Sequence, residues 1–262
     1  MAVQAAAPGG EDATLLQDIL LFAAVGFVAQ IVDGAIGMAY GLLATSVLLN
    51  LGVTPAMASA SVHAAEIFTT GASGFAHWRL GNVRRDLVLR LAVPGALGGV
   101  LGAHVLVGTP TEIIRLFVGF YLLGLAALIL FRALRPRLPA ALPTGQVAVL
   151  GFSGGVLDAI GGGGWGPIVT STLIGRGDVP RTAIGSASAA EFFVTTAVSA
   201  AFFATIGIEL WPIIAGLVLG GVLAAPVAAL VARHIPARPL MVVVGVVVSL
   251  LALRTLATSL GL

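Results

Sequence analysis

Long apolar runs, interrupted by short glycine-rich or charged stretches, set the pattern of this chain. They cover 14–32, 35–50, 56–78, 87–107 and 112–132. A stretch opening at Arg135-Pro136-Arg137-Leu138-Pro139 separates them from a second set over 146–158, 164–175, 182–206, 209–232 and 239–260. An uncharged apolar run of about 20 residues crosses a bilayer as a helix. The pattern predicts an all-α integral membrane protein with helices broken or re-entrant at glycines. Its parts are an N-terminal tail (1–13), a first membrane repeat (14–132), a linker (133–145) and a second membrane repeat (146–262). Segments 146–158 and 164–175 hold only 13 and 12 residues. As helices they reach roughly 18–20 Å, short of the ~30 Å hydrocarbon core. Ten full crossings fit, and so do eight crossings with two re-entrant hairpins.

The second half repeats the first at a shift of 125 positions without a gap. Asp33 falls on Asp158, Gly41 on Gly166, Thr45-Ser46 on Thr170-Ser171, Pro55 on Pro180, Ser61 on Ser186, and Ala64-Ala65-Glu66 on Ala189-Ala190-Glu191. From Gly26 to Ala72, 18 of 47 positions are identical. Apolar composition alone yields matching Ala and Gly, but not two acids, a proline and a Thr-Ser pair in one register. Duplicated halves in a membrane chain point to a transporter with its site at the repeat interface. Five segments per half, an odd number, send the second copy in from the opposite face.

Arginine placement agrees with that inversion. With the N-terminus outside, Arg79, Arg84, Arg85, Arg90, Arg132, Arg135, Arg137, Arg176, Arg181, Arg233 and Arg238 lie inside, and only Arg115 and Arg254 lie outside. Eleven against two is a strong positive-inside bias. The acidic N-terminus, with Glu11 and Asp12, lacks the basic region of a signal peptide.

Composition narrows the class further. Hydrophobic residues make up 58% and charged residues 9% of the chain, against the roughly 25% charged of a soluble domain. A net charge of +2 gives no reason to expect nucleic acid as a partner. With no cysteine, disulfides, thiolate chemistry and Cys-ligated metals are excluded.

Four acids lie inside apolar segments or their breaks: Asp33, Glu66, Asp158 and Glu191. An ionised acid at mid-bilayer costs on the order of 3 kcal/mol, so such residues mark function or a protonated packing contact. For Asp33 and Asp158, each beside a glycine-rich break, helix capping and ligand contact are both open. The breaks run from Asp33 to Gly37 and from Asp158 to Pro167. Interrupted helices tolerate membrane depth only inside protein or along a wet cavity, and their N–H groups attract anions. The G-x-G-x-x-G pattern at 161–166 follows no strand and carries no nucleotide argument.

Segment 56–78 is polar for a membrane helix. Ser59, His63, Glu66 and Thr70 share one face, by three- and four-residue spacing. His63 and Glu66 stand at i and i+3 like half a metal site, but Ser188 occupies the place of His63 in the second copy. A proton relay suits the pair better than a metal, and no cofactor is implied. Gly95, Gly98, Gly99 and Gly102 have the spacing of close helix contacts. The last segment of each half has few hydroxyls and no internal acid, so it faces lipid or a second copy in a homodimer.

In the order of these features the chain resembles the sulfite exporter TauE/SafE family of bacterial and archaeal membrane proteins. The likeness rests on the glycine-rich break, the Thr-Ser segment, the proline and the Ser-x-x-x-x-Glu helix, each present twice (Ser61 to Glu66, Ser186 to Glu191). The resemblance implies a secondary transporter in the cell membrane that exports small sulfur-containing anions such as sulfite or sulfoacetate, driven by an ion gradient. On that reading Gly37, Gly162 and Gly163 hold the anion through backbone N–H groups. Thr45, Ser61, Thr170, Ser186 and Ser188 add hydroxyls, and Asp33 and Asp158 lie at the breaks. Glu66, Glu191 and His63 then carry the coupled proton. A passive anion channel, a cation-coupled carrier of another substrate and an intramembrane enzyme are the rival readings.

Overall fold

The computed structural model describes residues 10–134, 144–207, 210–234 and 237–261. Most of the expected tail and linker, with Arg135 and Arg137, lies outside the described residues. The first half comprises α1 (Gly10–Ile36), α2 (Tyr40–Asn50), α3 (Pro55–Arg79), α4 (Arg85–Gly108) and α5 (Thr111–Leu134). The second comprises α6 (Thr144–Gly161), α7 (Gly166–Gly175, whose first turn is π-helical), α8 (Pro180–Ile206), α9 (Trp211–His234) and α10 (Ala237–Ser259). No strand occurs among the described residues. Shifted by 125, every helix of the first half lands on one of the second.

Local chemistry fixes these boundaries. Prolines open α3 and α8 at a position where the missing N–H costs nothing, and the Thr54 hydroxyl accepts the Met57 N–H at the start of α3. Gly37 and Gly162 occupy equivalent places after α1 and α6 with φ of 69° and 67°. A side chain there would be strained, so these glycines release the chain from each helix. The half-helices α2 and α7 that follow are too short to cross a bilayer.

Five described helices are long and apolar enough to cross a membrane: Leu15–Gly34, Arg85–Gly108, Thr111–Leu134, Pro180–Ile206 and Arg238–Ser259. Their outward surfaces carry exposed Leu97, Phe120, Val243 and Leu250, as lipid-facing helices do. The chain is a multi-pass, all-α membrane protein. α3 is less apolar and buries Ser59, Ser61, His63, Glu66, Thr69 and Thr70.

The halves interleave. α1 packs on α9 and α4 on α6, which are equivalent pairs; α3 packs on α8 and α5 on α10, each helix against its own counterpart. Small residues permit the approach. Gly26 meets the backbone of Leu217 and Gly34 meets Ala228, so α1 and α9 run parallel. Gly98 and Gly102 meet Phe152 and Val156 in the same sense on α6. By contrast Gly71 faces Phe192 while Gly74 faces Ala189, so α3 and α8 run antiparallel. Gly119 against Leu256 and Gly245 against Leu130 make α5 and α10 antiparallel as well.

Contacts between loops group the helix ends. Arg84, before α4, pairs with Asp86 at 2.9 Å and with Asp178, before α8, at 3.3 Å. At other ends Arg115 donates to the Val53 carbonyl at 3.3 Å, and Asn50 donates to the Leu251 carbonyl at 3.0 Å.

The α4–α6 contact gives a packing test. A side chain on Gly155 would press on the Gly95 carbonyl, whereas nothing lies within 4 Å of a Cβ on Gly124. Gly155→Val is expected to cost about 1–3 kcal/mol or more through overpacking, and Gly124→Val to be nearly neutral. Thermal unfolding of the two purified variants in detergent checks the contrast.

Candidate functional site

The two helix breaks are held by the same device. Asp33, in the last turn of α1, accepts the N–H groups of Ala39 (2.8 Å) and Tyr40 (3.3 Å) on one oxygen, Oδ1. Asp158, in the last turn of α6, accepts the Trp165 N–H at 2.9 Å on its own Oδ1. Each carboxyl therefore reaches across the break and caps the next half-helix, satisfying donors that lipid could not. The aromatic residues at the equivalent positions 40 and 165 anchor these starts. The Tyr40 hydroxyl donates to the Leu217 carbonyl at 3.0 Å, and the Trp165 indole N–H to the Ala187 carbonyl at 3.1 Å.

The breaks touch one another. The Thr45 hydroxyl of α2 donates to the Gly162 carbonyl, and Gly163 lies against the Gly41 backbone. The Ser59 hydroxyl of α3 donates to the Ala159 carbonyl at 2.6 Å. A Cβ on Gly41 would collide with both Gly163 and Glu66 Oε1, so the glycine lets a carboxyl lie against the break.

Between the breaks lies a small polar cavity of about 20 Å³. Its wall includes Asp33, Gly37, Tyr40, Glu66, Ser188 and Glu191, with Thr69, Thr70 and Ser73 of α3. Glu66 is only 3% exposed, and its Oε2 has no hydrogen-bond partner. Three carboxyls share this wall and no basic side chain does. In a low-dielectric site that charge has to be offset by protons or a cation.

Of the residues expected to form the site, the structure thus brings Asp33, Gly37, Glu66, Ser188 and Glu191 around one cavity. His63 is elsewhere, fully buried, with Nε2 3.2 Å from Asp158 Oδ2 and Nδ1 2.8 Å from the Ser59 carbonyl. The expected relay from His63 to Glu66 is not made: no hydrogen bond links them among the described residues. The N–H groups of Gly37, Gly162 and Gly163, expected to hold an anion, donate to the carbonyls of Asp33 and Asp158 instead. They close the helix ends, which leaves them no donor to spare. Ser186 accepts the Arg84 N–H at 2.9 Å, and Ser61 lines a separate apolar groove. Thr45 and Thr170 are buried outside the cavity wall. Tyr40 and Trp165 were missed as site anchors; an aromatic at both equivalent positions was the available signal.

A fold of interleaved, broken helices around a buried carboxyl cavity defines a class of polytopic membrane transporters. The family model described as Sulfite exporter TauE/SafE matches residues 22–255. The chain belongs to this family. The probable membrane transporter protein YtnM of Bacillus subtilis (strain 168) is 39% identical over 250 residues, covering 92% of this chain and 83% of that one. Both names are those of transporters. No solved structure matches the chain.

The two aspartates do unequal work, which unfolding can resolve. Asp158→Ala removes a cap and leaves His63 buried without its partner, a loss of about 3–5 kcal/mol. Asp33→Ala removes a cap alone, about 0.5–2 kcal/mol. Asp158→Ala should therefore lower the thermal midpoint in detergent more than Asp33→Ala does.

Proposed function

We propose that the chain is a secondary transporter that exports small sulfur-containing anions, sulfite or an organosulfonate, with transport coupled to protons. The carrying observation is that Glu66 and Glu191, equivalent residues of the two halves, line one small cavity. The sulfur-anion substrate comes from the family description, since the cavity wall itself offers hydroxyls and carboxyls but no guanidinium. On this reading Ser188, Thr69, Thr70 and Ser73, which line the cavity, contact the oxyanion. Carboxylates repel such a substrate and protonated carboxyls do not. Proton binding at Glu66 and Glu191 thereby admits the anion, and proton release expels it. Export of one substrate is then tied to proton movement by electrostatics alone.

Alternating access by inverted repeats fits the packing. Counterpart helices α3 and α8 run antiparallel, as do α5 and α10, which is what a two-fold axis in the membrane plane produces. The repeats also differ in how tightly they close. Against α8, Gly95 and Gly99 of α4 receive Val194 and Val198. The equivalent contact of α9 with α3 instead borders a groove of about 820 Å³, lined by Phe68, Phe202, Phe203 and Trp211. Exchanging tight and loose contacts between the halves moves access from one membrane face to the other.

Two experiments test this reading. In proteoliposomes, Glu66→Gln and Glu191→Gln should each cut pH-driven sulfonate flux by about tenfold or more, the usual size of a coupling free energy. Wild-type flux and pH dependence in both variants would refute proton coupling here. Orientation is tested by single cysteines, which report cleanly because the chain has none. Leu80→Cys and Arg176→Cys should react with an impermeant thiol reagent only from the cytoplasmic side. Leu51→Cys and Thr205→Cys, their repeat equivalents, should react only from the other; labelling of equivalents from one side would refute inversion.

A further inference from the structure

The repeat maps Asp33 onto Asp158 and Ser188 onto His63, so the two breaks carry corners that are chemically comparable. In the corner of α6, Asp158 uses Oδ1 for the Trp165 N–H and Oδ2 for His63 Nε2. His63 Nδ1 faces the Ser59 carbonyl, an acceptor, so that nitrogen carries a hydrogen. The 3.2 Å contact between Nε2 and Oδ2 then needs a proton of its own, on the ring or on the carboxyl. Asp158 thus has its compensating charge or hydrogen built into the protein.

Asp33 has no such provision. Its Oδ1 takes the N–H groups of Ala39 and Tyr40, and among the described residues no side chain donates to Oδ2. Where the imidazole stands in the other half, the shorter Ser188 leaves the cavity of about 20 Å³. Glu66, 97% buried and with an unpartnered Oε2, belongs to the same cavity wall. That volume suits about one water-sized particle or small ion in this conformation.

We infer that the Asp33–Ser188 corner binds a small monovalent metal cation, Na⁺ being the probe, in the place that the His63 ring takes in the other half. The available ligands are a carboxylate, hydroxyls and the backbone at the open end of α1, all hard oxygen donors. Half-helix ends with unwound backbone bind such ions in broken-helix carriers. A multivalent ion is disfavoured: among the described residues no three of His, Asp and Glu are arranged to hold a metal. The inference goes beyond proton coupling at Glu66 and Glu191, and it is read by binding without any flux.

The test is thermal unfolding of the purified protein in detergent at constant ionic strength, with NaCl exchanged stepwise for choline chloride. Wild type should be stabilised saturably by Na⁺. Ser188→His, which places a ring in the corner, should fold and need about tenfold or more Na⁺ for half of the effect. Asp33→Asn, nearly isosteric, should behave likewise and decides the matter if the histidine variant misfolds. Radioactive Na⁺ binding to wild type, displaced by unlabelled Na⁺ and not by choline, supplies a readout independent of either variant. Equal stability of wild type in Na⁺ and choline, or a Ser188→His or Asp33→Asn response like that of wild type, would overturn the assignment. Since no sulfonate is present, failure of the sulfur-anion reading leaves this result untouched, and the reverse also holds.

Discussion

A carboxyl in the last turn of one helix accepts the first N–H groups of the half-helix that follows, and the rest of the molecule depends on that bond. Lipid offers no hydrogen bonds, so a helix may stop at mid-membrane only if its loose ends are satisfied within the protein. Asp33 and Asp158 do this for α2 and α7, and the glycines after α1 and α6 supply the conformation that lets the chain turn back to them. Once the breaks are stable they can be packed against each other. The Thr45 bond to the Gly162 carbonyl and the close approach of Gly41 to Gly163 join them at the centre. Around this joint α3 and α8 bring in Glu66 and Glu191, one from each direction.

The pseudo-symmetry matters as much for where it fails as for where it holds. His63 and Ser188 differ in size and chemistry, and they give one half a filled corner and the other a cavity. Thr69 and Ser73 have valines as counterparts, Val194 and Val198, and these seal α8 against α4 while α3 stays looser against α9. A perfectly symmetric pair of repeats would have no reason to prefer one face of the membrane. In the proposed alternating-access cycle, the unequal residues would give the two arrangements unequal energies, which a bound ion or proton could then reverse.

Much of this was legible in the sequence. Segments expected at 56–78, 87–107 and 112–132 appear as helices over Pro55–Arg79, Arg85–Gly108 and Thr111–Leu134. Apolar length and turn residues determine such boundaries locally. The ends at the breaks were less accurate: α1 was expected to stop at position 32 and continues to Ile36, because Asp33 belongs to the helix whose successor it caps. The buried acids stood out because charge is rare in apolar segments. Their partners did not. His63 has Glu66 one turn away in sequence, yet it meets Asp158, 95 residues distant, since the crossing of α3 with α6 decides which groups face each other. Spacing also could not tell Ser61 from Ser186, which are equivalent by repeat and differ in the opening beside α9 and α4.

Proton coupling at matched carboxyls is the account's central claim, and the most direct measurement is proton uptake on ligand binding. Sulfite or sulfoacetate would be added to purified protein in weakly buffered detergent solution while a pH indicator is followed. The account requires anion binding to draw protons from solution in wild type and not in a Glu66→Gln, Glu191→Gln double variant. Saturable binding of the anion to wild type with no proton uptake across the pH range would contradict it.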